Sequence, residues 1–262
     1  MIKLTNENYY SPEANWEWMS CSQFKSFMKC EHSALAELRG EFERESTSAL
    51  LIGSYIDSHF EGTLDIFKAQ HPEIFTRSGA LKSEYEHAEY IIQRIERDKK
   101  FMQYMSGEKQ KIFTGRIAGI PFKIKVDSFH PSCIVDLKIM KDFKSIWNTE
   151  KQQREHFIVS WGYHYQGAIY QEIVRQNIGK TLPFYIAAAS KEKEPKLKLY
   201  YLPNDFLAET LNEVANLVTR FQKIKKGSLI PQRCEDCNYC RFTEELSAPI
   251  NFLEECEVYE VE

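Results

Sequence analysis

Residues 110–140, QKIFTGRIAGIPFKIKVDSFHPSCIVDLKIM, read as three short strands, 111–117, 122–129 and 133–140, joined at Ala118-Gly119 and at His130-Pro131-Ser132. Phe122-Lys123-Ile124-Lys125-Val126-Asp127 alternates apolar and polar residues, the period of a strand with one buried face. Asp127 thus ends a lysine-rich face expected to be exposed. The third strand opens on Cys133-Ile134-Val135, apolar enough to be buried on both sides, and then carries Asp136-Leu137-Lys138. Asp136 and Lys138 lie two residues apart and project to the same face. A carboxylate beside an ammonium at the end of a buried strand fits two readings. One is an ion pair. The other is a metal site, with Asp127 and Asp136 offering hard oxygens to Mg²⁺ and Lys138 holding or polarising a water.

The remaining chain bounds the choice. Its 262 residues are 43% hydrophobic and 13% aromatic, enough for one substantial core. One domain spanning 1–262 is expected, its core at about 45–226, followed by a cysteine-containing tail 227–262. The net charge of −4 excludes a globally basic nucleic-acid binder but not a single basic groove. No apolar run approaches ~20 residues, and the start, MIKLTNENYY, lacks a signal-peptide pattern; a cytoplasmic protein with no membrane partner is expected. Seven cysteines then point to thiols or a metal site rather than disulfides. No GxxxxGK[ST] occurs, so the chain carries no helicase motor of that type.

Residues 1–18 read as an irregular arm. Ser20 and Ser22 are N-cap candidates for a helix over 23–39 closed by Gly40. A second helix, 47–61, places Asp57 and Glu61 at i and i+4 on one face, either solvated or bridged by a cation. Gly53 inside it predicts close packing against another backbone. Residues 63–83 read as a linker and 84–105 as one amphipathic helix. After a polar stretch, 141–155, a helix over 156–178 carries Tyr163, His164, Tyr165, Gln166 and Tyr170. A continuously apolar strand, 182–190, pairs with 196–202. Asp205 or Asn204 is expected to cap a last long helix running to about 226. This order predicts an α/β fold, a central mixed β-sheet flanked by helices.

Four features fall in order: Gly53-x-x-x-Asp57-x-x-x-Glu61; Asp127; Asp136-Leu137-Lys138; and Tyr163-His164-Tyr165-Gln166-x-x-x-Tyr170. The set resembles the PD-(D/E)XK nuclease superfamily, with its restriction-endonuclease-like core, and within it the RecE-type branch of phage exonucleases that includes lambda exonuclease. The resemblance implies a Mg²⁺- or Mn²⁺-dependent exodeoxyribonuclease acting on double-stranded DNA ends, 5′ to 3′, leaving 3′ tails for a RecT-like single-strand annealing protein. It also implies a ring-shaped homo-oligomer. Asp127, Asp136, Lys138 and Gln166 would be catalytic. Asp57, Asp127, Asp136 and the Leu137 carbonyl would hold metal, with Glu61 and Tyr170 in support. The family commonly has a histidine where Asp57 stands, which leaves the ligand count open. A structure-selective endonuclease and a non-catalytic DNA-binding recombination protein are the alternatives.

Cys234-x-x-Cys237-x-x-Cys240 presents three soft ligands that need a fourth, a pattern of zinc or iron–sulfur sites. Wider relatives carry a [4Fe–4S] staple with one upstream cysteine. Cys30 matches that place, and Cys21 is the alternative. Cys133 reads as a buried strand residue and Cys256 as a tail thiol.

Overall fold

A computed structural model describes residues 2–45, 47–149, 151–246 and 248–249; Cys256 and the rest of the tail lie outside the described residues. The N-terminal arm is more ordered than expected: Ser11 caps a short helix, α1 (Pro12–Glu17). The helix expected over 23–39 is two helices, α2 (Cys21–Lys29), capped by Ser20, and α3 (Glu31–Arg39), closed by left-handed Gly40. The break is Cys30, whose backbone is extended and whose Sγ accepts the Ser33 amide at 3.4 Å.

Thr47 caps α4 (Ser48–Glu61), which stops at left-handed Gly62. A Cβ on Gly53 would meet nothing within 4 Å, so the expected close backbone packing is absent there. The expected linker holds α5 (Leu64–Gln70) and a 3-10 turn, Pro72–Ile74. Asp98 divides the next helix into α6 (Ser83–Glu96) and α7 (Lys99–Met105) by turning its carboxylate onto the Phe101 amide, the local competition that makes aspartate a cap.

β1 (Lys111–Ile117) and β2 (Ile120–Val126) form an antiparallel hairpin. The strand expected over 122–129 is interrupted at Asp127. Beyond it, β3 (Ser128–His130) pairs with β4 (Cys133–Met140) in a different sheet. The polar stretch folds as a small hairpin of β5 (Ile146–Asn148) and β6 (Gln153–Glu155). Gly162, left-handed at φ 64°, separates α8 (Phe157–Ser160) from α9 (Tyr163–Ile178) in what was expected as one helix. Then come β7 (Phe184–Ser190), β8 (Leu197–Leu202), α10 (Asn204–Lys225) and α11 (Asn238–Phe242). Neither Asn204 nor Asp205 caps α10, which begins after Pro203 with no side-chain cap bond.

The central sheet has the order β3-β4-β7-β8, with β4 parallel to β7 and the outer strands antiparallel, the mixed sheet expected. Alternation along β4 splits its contacts between two cores. Ile134 and Met140 join a cluster with residues of α2, α9, α10 and the β1–β2 hairpin, while Val135 and Leu137 join residues of α4, α6 and α7. Met19, Phe24 and Phe27 are buried in the first cluster, so the core begins before residue 45. Among the described residues no helix is long and apolar enough to cross a membrane.

Lys123 overturns one sequence expectation. It is 1% exposed, and its Nζ donates to Asn15 Oδ1 at 2.7 Å and to the Tyr9 carbonyl. The face expected to carry exposed lysines is covered by the N-terminal arm.

Candidate active site

β3 is short, and it ends the pairing on one side of β4 at Val135. Asp136, Leu137 and Lys138 therefore lie along an edge of β4 that β3 leaves uncovered. Asp127, at the break between the two sheets, fills the gap: its Oδ2 accepts the Leu137 amide at 2.9 Å, and Gln110 Nε2 approaches Oδ1 at 3.4 Å. The same bond explains the interruption of the expected strand, because the Asp127 carboxylate takes the place of a backbone partner.

Asp136, 2% exposed, faces α9. Gln166 Nε2 donates to its Oδ1 at 2.5 Å. Its Oδ2 lies 2.5 Å from Lys138 Nζ, an ion pair, yet takes no well-directed hydrogen bond. The ion-pair reading of the D-x-K motif is thus correct as geometry, and the pair is set among further carboxylates. Lys138 Nζ also reaches the Leu137 carbonyl at 3.2 Å and lies 5.2 Å from the centre of the Tyr163 ring. Lys25, from α2, approaches the same ring at 5.0 Å and donates to the Trp161 carbonyl at 3.3 Å. Two ammonium groups therefore share one tyrosine beside the carboxylates.

From the other side of the sheet, α4 brings Asp57 and Glu61 to a narrow cleft that Asp127, Leu137, Gln110, Phe60 and Met105 also line. Burial, and then Asp127 beside it, push the Asp57 carboxyl well above the usual carboxylate range. Burial also raises Glu61, against the pull of Lys125. Asp127 is raised to about 7 by burial and by Asp136, despite Lys138 and the Leu137 amide. Burial opposes the charge on Lys138, but Asp136 and Asp127 outweigh it and hold the ammonium above its ordinary range. Carboxylates crowded together this way are stabilised as anions by a cation.

A divalent ion fits this donor set. Its oxygens are hard, suiting Mg²⁺ or Mn²⁺, and burial together with neighbouring acids holds the Asp57 and Asp127 carboxyls above their ordinary range, a cost that a cation relieves. The acids surround the cleft rather than clasp a point. Among the described residues, the set of potential ligands whose atoms all lie within 4.8 Å of one another is Cys30, Cys234, Cys237 and Cys240. Cys30 is the upstream member, and Cys21 is buried elsewhere, beside Lys25. Cys133 is half-buried on β4.

Tyr170 lies one turn further along α9, close to Asp127 and Asp136. Its hydroxyl donates to the Lys125 carbonyl at 3.1 Å, docking β2 on α9 two residues before Asp127. Lys125 lies over the rings of Tyr9 and Tyr10, 5.3 and 4.8 Å from their centres, so the arm reaches the site. Gln110, Lys25 and the arm were not singled out from sequence. Gln110 adopts φ 51°, a conformation that glutamine does not advertise, and Lys25 belongs to no motif.

A family model described as "PDDEXK-like domain of unknown function (DUF3799)" matches residues 20–243. A crystal structure from Eubacterium rectale, described as a "Putative exonuclease", is 45% identical, covers 100% of both chains and superposes with a TM-score of 0.93. No curated protein matches the chain.

Proposed function

As a member of the PDDEXK-like domain family (DUF3799), this chain is a nuclease of the PD-(D/E)XK type, and we propose that it is a metal-dependent exodeoxyribonuclease acting at ends of double-stranded DNA. The observation that carries this reading is the meeting of Asp127, Asp136 and Lys138 at the uncovered edge of β4. The similar structure described as an exonuclease supports action at ends.

Asp127, Asp136, Asp57 and the Leu137 carbonyl would hold Mg²⁺ or Mn²⁺, which when bound supplies Lewis-acid activation of water and offsets phosphate charge. Lys138 is held charged by its acidic neighbours, so it serves as a donor and not as the base. Freed from Asp136, its ammonium reaches a phosphate oxygen or orients the attacking water. Lys25, sharing the Tyr163 ring, binds a neighbouring phosphate. Gln166 fixes one Asp136 oxygen and leaves the other aimed at the site. Glu61, one helical turn from Asp57, adds negative charge to the same cleft wall.

The RecE-type resemblance extends the proposal to 5′ to 3′ polarity, 3′ single-stranded tails, a ring-shaped homo-oligomer and a RecT-like annealing partner in recombination. A linear duplex labelled at the 5′ end of one strand and, in a parallel sample, at its 3′ end tests it with Mg²⁺ present. Early release of the 5′ label as mononucleotide, with the 3′ label retained in long strands, is expected. Internal fragments would show an endonuclease instead, and binding without cleavage would show a non-catalytic protein.

A further inference from the structure

We propose that Tyr10, on the N-terminal arm, is the platform on which a nucleobase of the cleaved strand stacks as its phosphate enters the site; this rests on the nuclease reading above. Tyr9 and Tyr10 are neighbours in opposite surroundings, Tyr9 5% exposed and Tyr10 69%. An exposed tyrosine alone is ordinary. What sets this one apart is where it is held, and how firmly.

Its place is fixed from β2. Lys125 Nζ lies 4.8 Å from the centre of the Tyr10 ring and 5.3 Å from that of Tyr9, and the two ring planes meet at 81°. One ammonium thus sits against both rings. Lys125 is two residues before Asp127, and its carbonyl accepts the Tyr170 hydroxyl at 3.1 Å. Its charge also offsets part of the burial that raises the Glu61 carboxyl. The hydroxyl end of Tyr10 is crowded although the residue as a whole is open: burial, then Glu61, Asp127 and Asp57, push it up to about 12. Tyr10 therefore stands at the mouth of the acidic cleft.

Its firmness comes from two buried lysines. Lys123 Nζ donates to the Tyr9 carbonyl and, at 2.7 Å, to Asn15 Oδ1. Lys225 Nζ donates to the carbonyls of Asn15 at 2.8 Å and Trp18 at 3.2 Å, and to Gln23 Oε1 at 2.9 Å. Asn15 Nδ2 in turn donates to the Tyr10 carbonyl at 3.3 Å, and the Ser11 amide to the Asn8 carbonyl at 3.0 Å. Holding ammonium groups on these neutral oxygens is costly, and burial lowers Lys123 to about 8 and Lys225 to about 7. That cost goes into fixing the backbone on both sides of Tyr10. A ring whose backbone is already ordered loses little freedom when a base settles on it. Stacking also tolerates any sequence, because every base has a π-face, as an enzyme that removes successive nucleotides requires.

The test compares cleavage efficiency in Mg²⁺ on an intact duplex and on duplexes carrying a stable abasic residue at each of the first three positions of the cleaved strand. The full-length chain, Tyr10→Ala, Tyr10→Leu and Tyr10→Trp are used, each first shown to melt as wild type does. On the intact duplex Tyr10→Ala and Tyr10→Leu should lose about 5–150-fold, and Tyr10→Trp should restore most of it. At one abasic position wild type should fall by a similar factor and Tyr10→Ala should fall no further. A 2-aminopurine at that position, bound in Ca²⁺ without cleavage, should be quenched by wild type and not by Tyr10→Ala. Tyr10→Ala cleaving the intact duplex at wild-type efficiency would overturn the proposal while the nuclease reading stands. So would an equal loss on intact and abasic duplexes, which would show that the ring only positions Lys125. A wild type that leaves the intact duplex uncut would overturn the nuclease reading and the stacking role with it.

Discussion

Gln166, on α9, donates its side-chain amide to Asp136 Oδ1 at 2.5 Å across a gap of thirty residues in sequence. The bond leaves Oδ2 as the oxygen that meets Lys138 and a metal. Gln166→Leu should lower kcat by ~10–100-fold, the usual effect of removing a group that orients a ligand, while melting within a few degrees of wild type. Gln166→Glu should place two carboxylates in contact and move the acidic limb of the pH–rate profile upward. Cleavage rates across pH, beside thermal melts, check both expectations.

The raised Asp127 carboxyl makes a prediction about stability and pH. Its folded value, about 7, lies above the ordinary 3.8 because of burial and Asp136. Between these values the folded chain holds a proton that the unfolded chain has released, so stability falls as pH rises through this window. Below about pH 4 the penalty is absent, and above about pH 7 it is complete. Chelator-treated protein should therefore melt lower at pH 8 than at pH 5, apart from slopes due to other groups. Asp127→Asn should flatten part of that difference. Added Mg²⁺ should raise the melting temperature more at pH 8 than at pH 5.

The two lysines Lys25 and Lys123 should behave oppositely toward DNA. Lys25→Ala should weaken duplex binding and reduce the slope of log affinity against log salt by about 1, the loss of one phosphate contact. Lys123→Gln should leave that slope unchanged, because its ammonium is spent on Tyr9 and Asn15. It should instead cost ~1–3 kcal/mol of stability by disturbing buried hydrogen bonds. Binding titrations at several salt concentrations, using Ca²⁺ to hold back cleavage, separate the two.

Gly167, next to Gln166, lets α9 lie close to the sheet. A Cβ there would stand 3.0 Å from Leu207, 3.1 Å from Phe184 and 3.2 Å from Leu202. Gly167→Ala should cost ~1–3 kcal/mol through overpacking, a drop of several degrees in melting temperature. Gln166 should be displaced with the helix, so kcat should fall as well, which the same melts and rates will show.

What could be read from the chain followed the range of the forces involved. Asp136, Lys138, Asp57 and Glu61 were legible because each pair is set by local periodicity: two residues on a strand, four on a helix. The cysteine triplet was legible by spacing. The division of helices at Cys30 and Asp98 was less so, since each residue left the helix for a side-chain bond that propensity does not encode. Lys123 could not be placed at all from local pattern. Its partner Asn15 is 108 residues away, and an alternating strand presents the same sequence whether water or another segment covers its polar face. Asp127 shows both cases: recognised as a candidate ligand, it was assigned to a continuous strand that its own bond to Leu137 interrupts.

The most direct test of the central claim is the single-turnover rate of duplex cleavage in Mg²⁺ by wild type, Asp136→Asn and Lys138→Ala, each first shown to be folded. Both substitutions should reduce the rate at least ~10³-fold, about 4 kcal/mol of lost transition-state stabilisation, while duplex binding persists. Cleavage by either folded variant at the wild-type rate would contradict the assignment of this site.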